Sequence, residues 1–373
     1  MRKKEKTKKE KTKFVSYKTL KQIDAQYIII LGQRSNGKSY AVKELCLRDA
    51  YDKGEEFAYL RRYDSDVKDY LIQEYFEDFI FKDENGNNKI MEITNGEYDN
   101  ISAYRHNIYF GVTDPETGKV ERKKRIGRMF DLSGYEHHKS LQFPNITKII
   151  YEEFITDLSY LPKEPKLLFN LTSTIFRLRS NGKVFCIGNT VSRICPYFGE
   201  WGLCNIPRQK IGTIDIYTVR SEDSETHIAV YLTDALNFNN GMFFGNSAKA
   251  IVNGFWETDE QPHLVGERDE YNDIYTLVFL YDQTTFLCEF LQSRIDPNSF
   301  TWFISPKTTP IQKNTRVCSN LYSLHYLHTM GFKPLNDRES LIFGMLQNGK
   351  ICYSDNLTGT EFLQCYKQLR NRI

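Results

Sequence analysis

Residues 32–39, Gly32-Gln33-Arg34-Ser35-Asn36-Gly37-Lys38-Ser39, fit the pattern GxxxxGK[ST] without mismatch. Each element has a chemical reason. The glycines let the backbone wrap closely enough for its N–H groups to point at phosphate oxygens, Lys38 neutralises the β and γ oxygens, and Ser39 ligates Mg²⁺. A helix starting at the lysine adds the positive end of its dipole. The octapeptide also arises by chance, so its context decides. Here an apolar run, Tyr27 to Leu31, precedes it, and Val42, Leu45 and Cys46 recur at helical spacing after it. A glycine turn that merely joined strand to helix would leave Lys38-Ser39 unexplained. The expected ligands are ATP and Mg²⁺.

Hydrolysis needs more than a cradle. P-loop hydrolases hold the metal through an acid at the end of a second strand, and many place a neighbouring carboxylate to orient the attacking water. The run ending Tyr151-Glu152-Glu153-Phe154 supplies both, Glu152 for the metal and Glu153 for the water. An arginine delivered to the γ-phosphate is worth roughly three to five orders of magnitude in rate. Arg177 and Arg179 stand where such a finger would stand, and equally where ordinary cations close a helix. Asn189 ends a third apolar strand, either within reach of a γ-phosphate or as a simple turn former.

Strands and helices must hold these groups. Tyr27–Leu31, Phe57–Leu60, Ile146–Tyr151 and Val184–Gly188 read as short buried strands. One helix runs from Lys38 to a cap at Gly54, and another from about Lys163 to Arg179, closed by Asn181-Gly182. This alternation predicts a mainly parallel sheet covered on both faces, with ligands at the carboxyl ends of its strands. The fold class is α/β, a P-loop NTPase of the additional-strand, catalytic-glutamate type. Turn signals at 84–87, Asn95-Gly96 and 114–118 place inserted β-hairpins within 78–132. Beyond Ile211 the pattern changes to short strands such as IGTIDIYTV, IYTLVFLY, FLCEFLQSR and TWFIS, then helices, as in an α+β domain. The expected division is a basic disordered arm over 1–13, an ATPase domain over 14–205, a linker over 206–230 and a C-terminal domain over 231–373.

Composition narrows the class. A chain of 373 residues with 14% aromatic content can bury two cores. The formal net charge of +2 hides a Lys-rich first thirteen residues, either an arm for an anionic polymer or a solubilising tail. No apolar stretch suits a secretory signal or a membrane span, and the eight Cys include no CxxC pair. The expectation is a soluble, reduced, cytosolic protein without structural zinc, Cys318, His325 and His328 being an incomplete ligand set.

The order of these elements resembles the DNA-encapsidation ATPases of small-genome, protein-primed tailed bacteriophages. The likeness extends past the P-loop to Gly37-Lys38-Ser39-Tyr40-Ala41, Tyr59-Leu60-Arg61-Arg62-Tyr63, Lys139-Ser140, Phe143-Pro144-Asn145-Ile146-Thr147, Glu153-Phe154, Leu161-Pro162, Phe176-Arg177 with Arg179, and Pro196-Tyr197-Phe198. It covers roughly residues 20 to 200. The resemblance implies a ring of identical subunits, a pentamer, docked on the portal protein of an empty capsid and driving double-stranded DNA inward. It leaves open an RNA bridging ring and portal. It places the protein in the host cytoplasm, transiently at the portal vertex and not in the mature virion. On the matching positions Glu153 becomes the catalytic glutamate, Arg177 and Lys139 the groups offered in trans, and Asn189 the residue after the third strand. The C-terminal domain would be similar to a ribonuclease H-like fold that has lost its nuclease.

Two residues depart from the family pattern. Glu152 replaces an Asp at the magnesium position, and Asp64 stands where a Lys follows Arg-Arg-Tyr. Magnesium keeps several waters, through which a longer acid can reach it. The basic run 119–128, with Arg122, Lys123, Lys124 and Arg125, offers a replacement DNA contact on phosphates, or is a solvated hairpin flank. A nuclease needs several acids around two metals. Asp282 alone closes a strongly apolar strand, and Asp273 and Asp296 sit near turns, so no nuclease activity is expected. Two other readings remain: a nucleotide-dependent assembly or switch protein without motor activity, and a terminase-type enzyme that still cuts DNA.

Overall fold

The computed structural model describes residues 14–138, 141–156, 160–177, 179–190, 192–220, 225–234, 259–281, 284–312, 315–319, 328–329 and 350–370, with isolated positions at 337, 341, 342, 344 and 346. The expected arm at 1–13, Lys139, His325 and Asp282 lie outside the described residues.

Nine strands form the first sheet: β1 Tyr27–Gly32, β2 Glu56–Arg61, β3 Asn100–Tyr104, β4 Asn107–Thr113, β5 Val120–Asp131, β6 Ile146–Tyr151, β7 Lys183–Asn189, β8 Thr213–Arg220 and β9 Glu225–Leu232. Their order is β3-β4-β5-β2-β6-β7-β1-β9-β8. The six central strands from β5 to β9 are mutually parallel, and antiparallel strands extend each edge. Strand β7 separates the P-loop strand β1 from the acidic strand β6, which is the additional-strand arrangement.

Continuous apolar runs form these central strands because both faces of the sheet are covered. Successive side chains point to opposite faces. Accordingly Ile28 and Ile30 join one core with Val42, Leu45 and Cys46 of the helix Lys38–Asp52, while Ile29 and Leu31 join another with Leu168, Leu171 and Ile175 of the helix Glu164–Phe176. That second helix ends three residues before the expected Arg179, because Arg177 leaves helical geometry at φ 51° and ψ −122°.

The insertion within 78–132 is only partly hairpins. Short helices occupy Glu77–Ile80 and Lys89–Ile93, a third, Asp69–Tyr75, lies just before this stretch, and strand pairing begins at Asn100. The turn at 114–118 does join β4 to β5, with Asp114 Oδ1 accepting from the backbone of Glu116 and Thr117.

Most of the described part of the expected linker over 206–230 is instead sheet. β8, assigned from sequence to the C-terminal domain, pairs antiparallel with β9, and β9 runs parallel to β1 with Tyr27 opposite Ile228. The polar start of β9 hides a run, Ile228 to Leu232, that is buried in the two cores flanking the first sheet. The first domain therefore continues past the expected boundary at 231.

The second sheet holds β10 Tyr271–Tyr281, β11 Thr284–Ser293, β12 Phe300–Pro306, β13 Arg316–Ser319, β14 His328–Thr329 and β15 Ile351–Tyr353, in the order β14-β13-β10-β11-β12-β15. β10, β11 and β12 form an antiparallel meander, and β13 lies parallel to β10. Leu277, Phe279, Phe286, Trp302 and Ile304 pack against Phe362 and Cys365 of the helix Asn356–Arg370. Ile194, five residues beyond Asn189, is buried in this same core.

Candidate active site

At the carboxyl end of β1 the chain turns so tightly that Gly32 (φ 155°) could carry no side chain: a Cβ there would overlap Thr233 Oγ1 and come within 2.8 Å of Asn36 Nδ2. Gly37 adopts φ 85° as the residue before the helix, a left-handed value that favours glycine. Ser35 also has positive φ, at 62°. Gln33 and Asn36 are buried, Asn36 by a hydrogen bond from its Nδ2 to Thr233 Oγ1, and Arg34 is exposed.

Lys38 begins the helix and turns its ammonium back into the loop. Its Nζ donates to Gly32 O (3.2 Å), Gln33 O (2.5 Å), Asn36 Oδ1 (3.1 Å) and Asn189 Oδ1 (3.1 Å). All four acceptors are neutral. Burial therefore pulls the Lys38 pKa down from 10.5 to about 7, with Glu152 opposing and Arg34 reinforcing the fall.

The acid pair divides. Glu152 is 8% exposed, and burial raises its pKa against hydrogen bonds from Tyr75 and Ser39 and the charges of Lys43 and Arg61. Glu153 is exposed, at φ 53°, and pairs with Arg61 Nη2 at 2.8 Å. Below it Arg62 forms a bidentate pair with Glu164 (2.8 and 3.0 Å) and donates to the carbonyls of Glu153 (3.1 Å) and Phe154 (3.0 Å). The backbone conformation of Glu153 is thus gripped from beneath.

Arg34 to Ser39, with Glu152, Glu153 and Asn189, line one cleft of about 1030 Å³, whereas Gly32 and Gln33 do not line it. An ammonium, a hydroxyl, a buried carboxylate and a glycine-rich loop at a helix start suit a polyphosphate with a hard divalent cation. No cluster of three or more His, Cys, Asp or Glu able to hold a metal occurs among the described residues.

The two arginines separate as clearly. Arg179 donates to the carbonyls of Phe143 (2.8 Å), Pro144 (2.7 Å), Ile175 (2.7 Å) and Phe176 (3.1 Å), tying the loop before β6 to the helix end. The Arg177 side chain is exposed and makes one hydrogen bond among the described residues, to Leu141 O at 2.7 Å. Neither lines the P-loop cleft. Of the basic run, Arg122, Lys123 and Arg125 are exposed, Arg122 over the Tyr104 ring and Lys123 paired with Glu121. Lys124 donates to Tyr51 O and Arg125 pairs with Glu56, so those two are tied into the fold.

Sequence reasoning missed Thr233, Tyr75 and Lys43, and used Arg61 and Arg62 only as matching residues. No motif marks them: Tyr75 and Thr233 come from positions far along the chain, and Lys43 reads as one more cation of the helix after the loop.

Residues 119–238 match the family model described as Podovirus DNA encapsidation protein (Gp16). Over 177 residues the chain is 34% identical to a DNA packaging protein of Bacillus phage B103, covering 47% of each. Over 198 residues it is 28% identical to that of Bacillus phage phi29, covering 52% of each. Its relatives are phage DNA packaging proteins. The chain spans about half the length of these curated relatives. A solved phi29 viral genome packaging motor assembly shares the fold, at a TM-score of 0.52 and 19% identity over 96% of this chain and 99% of that one. Among the described residues no helix is long and apolar enough to cross a membrane.

Proposed function

We propose that this chain is an ATP hydrolase that drives double-stranded DNA into a preformed capsid, as a ring of identical subunits at the portal. The observation that carries the reading is the convergence of Lys38, Ser39, Glu152, Glu153 and Asn189 on one cleft at the carboxyl ends of parallel strands. The relatives named for DNA packaging supply the substrate.

In this reading Lys38 and the loop N–H groups hold the phosphates, and Ser39 with Glu152 holds Mg²⁺, which neutralises charge on the phosphate oxygens. Glu153 leaves Arg61 to accept hydrogen from the attacking water. Asn189, already on Lys38, follows the ammonium as it swings to phosphate. Arg177 stands away from its own cleft, exposed and lightly held, and serves a neighbour's. Lys139 joins it in trans, the ring is a pentamer, and Arg122 and Lys123 meet DNA phosphates. The protein acts in the host cytoplasm and at the portal vertex.

Hydrolysis measured with and without linear double-stranded DNA tests this for wild type, Lys38→Ala, Glu153→Gln and Arg177→Ala. The expected result is stimulation by DNA in wild type and loss in all three variants, with Arg177→Ala subunits impairing mixed rings beyond dilution. Hydrolysis indifferent to DNA would replace the motor with a nucleotide switch.

A further inference from the structure

Glutamate is a demanding choice for holding Mg²⁺ at the end of β6. It has one more rotatable bond than aspartate, so an unrestrained carboxylate would sample several orientations and lose affinity to disorder. The chain answers with a residue from outside the parallel core. Tyr75 ends the helix Asp69–Tyr75 in the insertion after β2, and its hydroxyl donates to Glu152 Oε1 at 2.8 Å. The ring is itself held: its centroid lies 4.6 Å from that of Tyr59 and 4.9 Å from that of Phe76, with Lys43 Nζ 4.7 Å over its face. Lys43 also donates to the Tyr75 carbonyl (2.7 Å) and pairs with Asp78 (2.6 Å). Three contacts therefore fix the phenol before it fixes the acid.

We propose that Tyr75 is the positioning residue for the metal-holding acid, presenting the Glu152 carboxylate in one orientation and so accommodating its extra methylene. This rests on reading the cleft as a magnesium–nucleotide site. Partners of this kind typically govern metal affinity by about 10- to 100-fold. Tyr75→Phe removes one hydroxyl and keeps the ring packing. Glu152→Asp withdraws the acceptor by one methylene from the same hydroxyl.

The test is binding of a fluorescent, non-hydrolysable ATP analogue to the full chain, titrated with Mg²⁺ and repeated in EDTA. Tyr75→Phe is expected to raise the Mg²⁺ midpoint roughly tenfold while leaving affinity in EDTA unchanged. In the Glu152→Asp background the same change should have no further effect. Circular dichroism and thermal unfolding of each variant confirm that it is folded. An unmoved midpoint in Tyr75→Phe, or an equal loss of affinity in EDTA, overturns the positioning role while leaving the nucleotide site intact. Failure of wild type to bind the analogue under either condition overturns the nucleotide reading itself, and the inference with it.

Discussion

Replacing Arg62 by Ala should unfold the first domain far more readily than its place in a loop suggests. Glu164 is fully buried and Arg62 is 6% exposed. The Glu164 carboxylate accepts five hydrogen bonds, two from Arg62 and one each from Tyr151, Tyr197 and the Leu161 backbone. Without the guanidinium a buried negative charge keeps three donors and loses its counter-ion. Breaking such a pair from one side costs about 3–5 kcal/mol. For a domain of this size that corresponds to a fall in Tm of about 6–20 °C. Replacing both partners by methionine removes the stranded charge, so Arg62→Met/Glu164→Met should be more stable than Arg62→Ala. The double variant should still hydrolyse ATP poorly, because the carbonyls of Glu153 and Phe154 have lost their grip. Thermal unfolding followed by tyrosine and tryptophan fluorescence, with ATPase assays on the same preparations, measures both effects. A Tm within about 2 °C of wild type for Arg62→Ala, less than 1 kcal/mol on this scale, would refute the reasoning.

The neighbouring residues give sharper contrasts. Arg179→Ala, which removes the guanidinium donors from four carbonyls, should cost about 2 kcal/mol, whereas Arg177→Ala should leave the unfolding midpoint nearly unchanged and abolish hydrolysis; equal Tm shifts would reject this division. Lys38 is held near pH 7 in the free protein, so phosphate binding at pH 8 should raise its pKa and take up a proton. Calorimetry in buffers of different ionisation enthalpy measures the uptake, which Lys38→Ala should lack. Because the folded pKa lies below the unfolded 10.5, the unfolded chain binds the extra proton between about pH 7 and 10.5, and this group's contribution favours the fold increasingly as pH rises through that window. Gly32→Ala should abolish nucleotide binding in the analogue assay, since its methyl overlaps Thr233; retained affinity would show that the loop does not need this close approach.

Much of the site was legible because its chemistry is local. Gly32 to Ser39 lie in one stretch, and buried strands preceding the loop and Glu152 show in their apolar runs. Asn189 was open between a turn former and a phosphate contact, and its bond to Lys38 brings it to the loop. What escaped was non-local or masked by composition. β9 opens with Glu225, Thr226 and His227, so it reads as polar, yet it fills the place beside β1. The helix at 89–93 was hidden between turn residues, and those at 69–75 and 77–80 are too short for an apolar period to show, so Tyr75 escaped with them. Arg177 and Arg179 are alike by spacing, and only their hydrogen bonds separate them.

Thr233 has a consequence for how the protein is made. Its backbone and hydroxyl both bond to Leu31 O, and its hydroxyl meets Asn36 almost two hundred residues earlier in the chain. On a ribosome, the loop between β1 and its helix is synthesised early but lacks this support until residue 233 has emerged. Nascent chains stalled before that point would carry an intact motif and an unbuttressed loop. The supported form of the loop is thus a late product of synthesis, complete only once the sheet is closed around it.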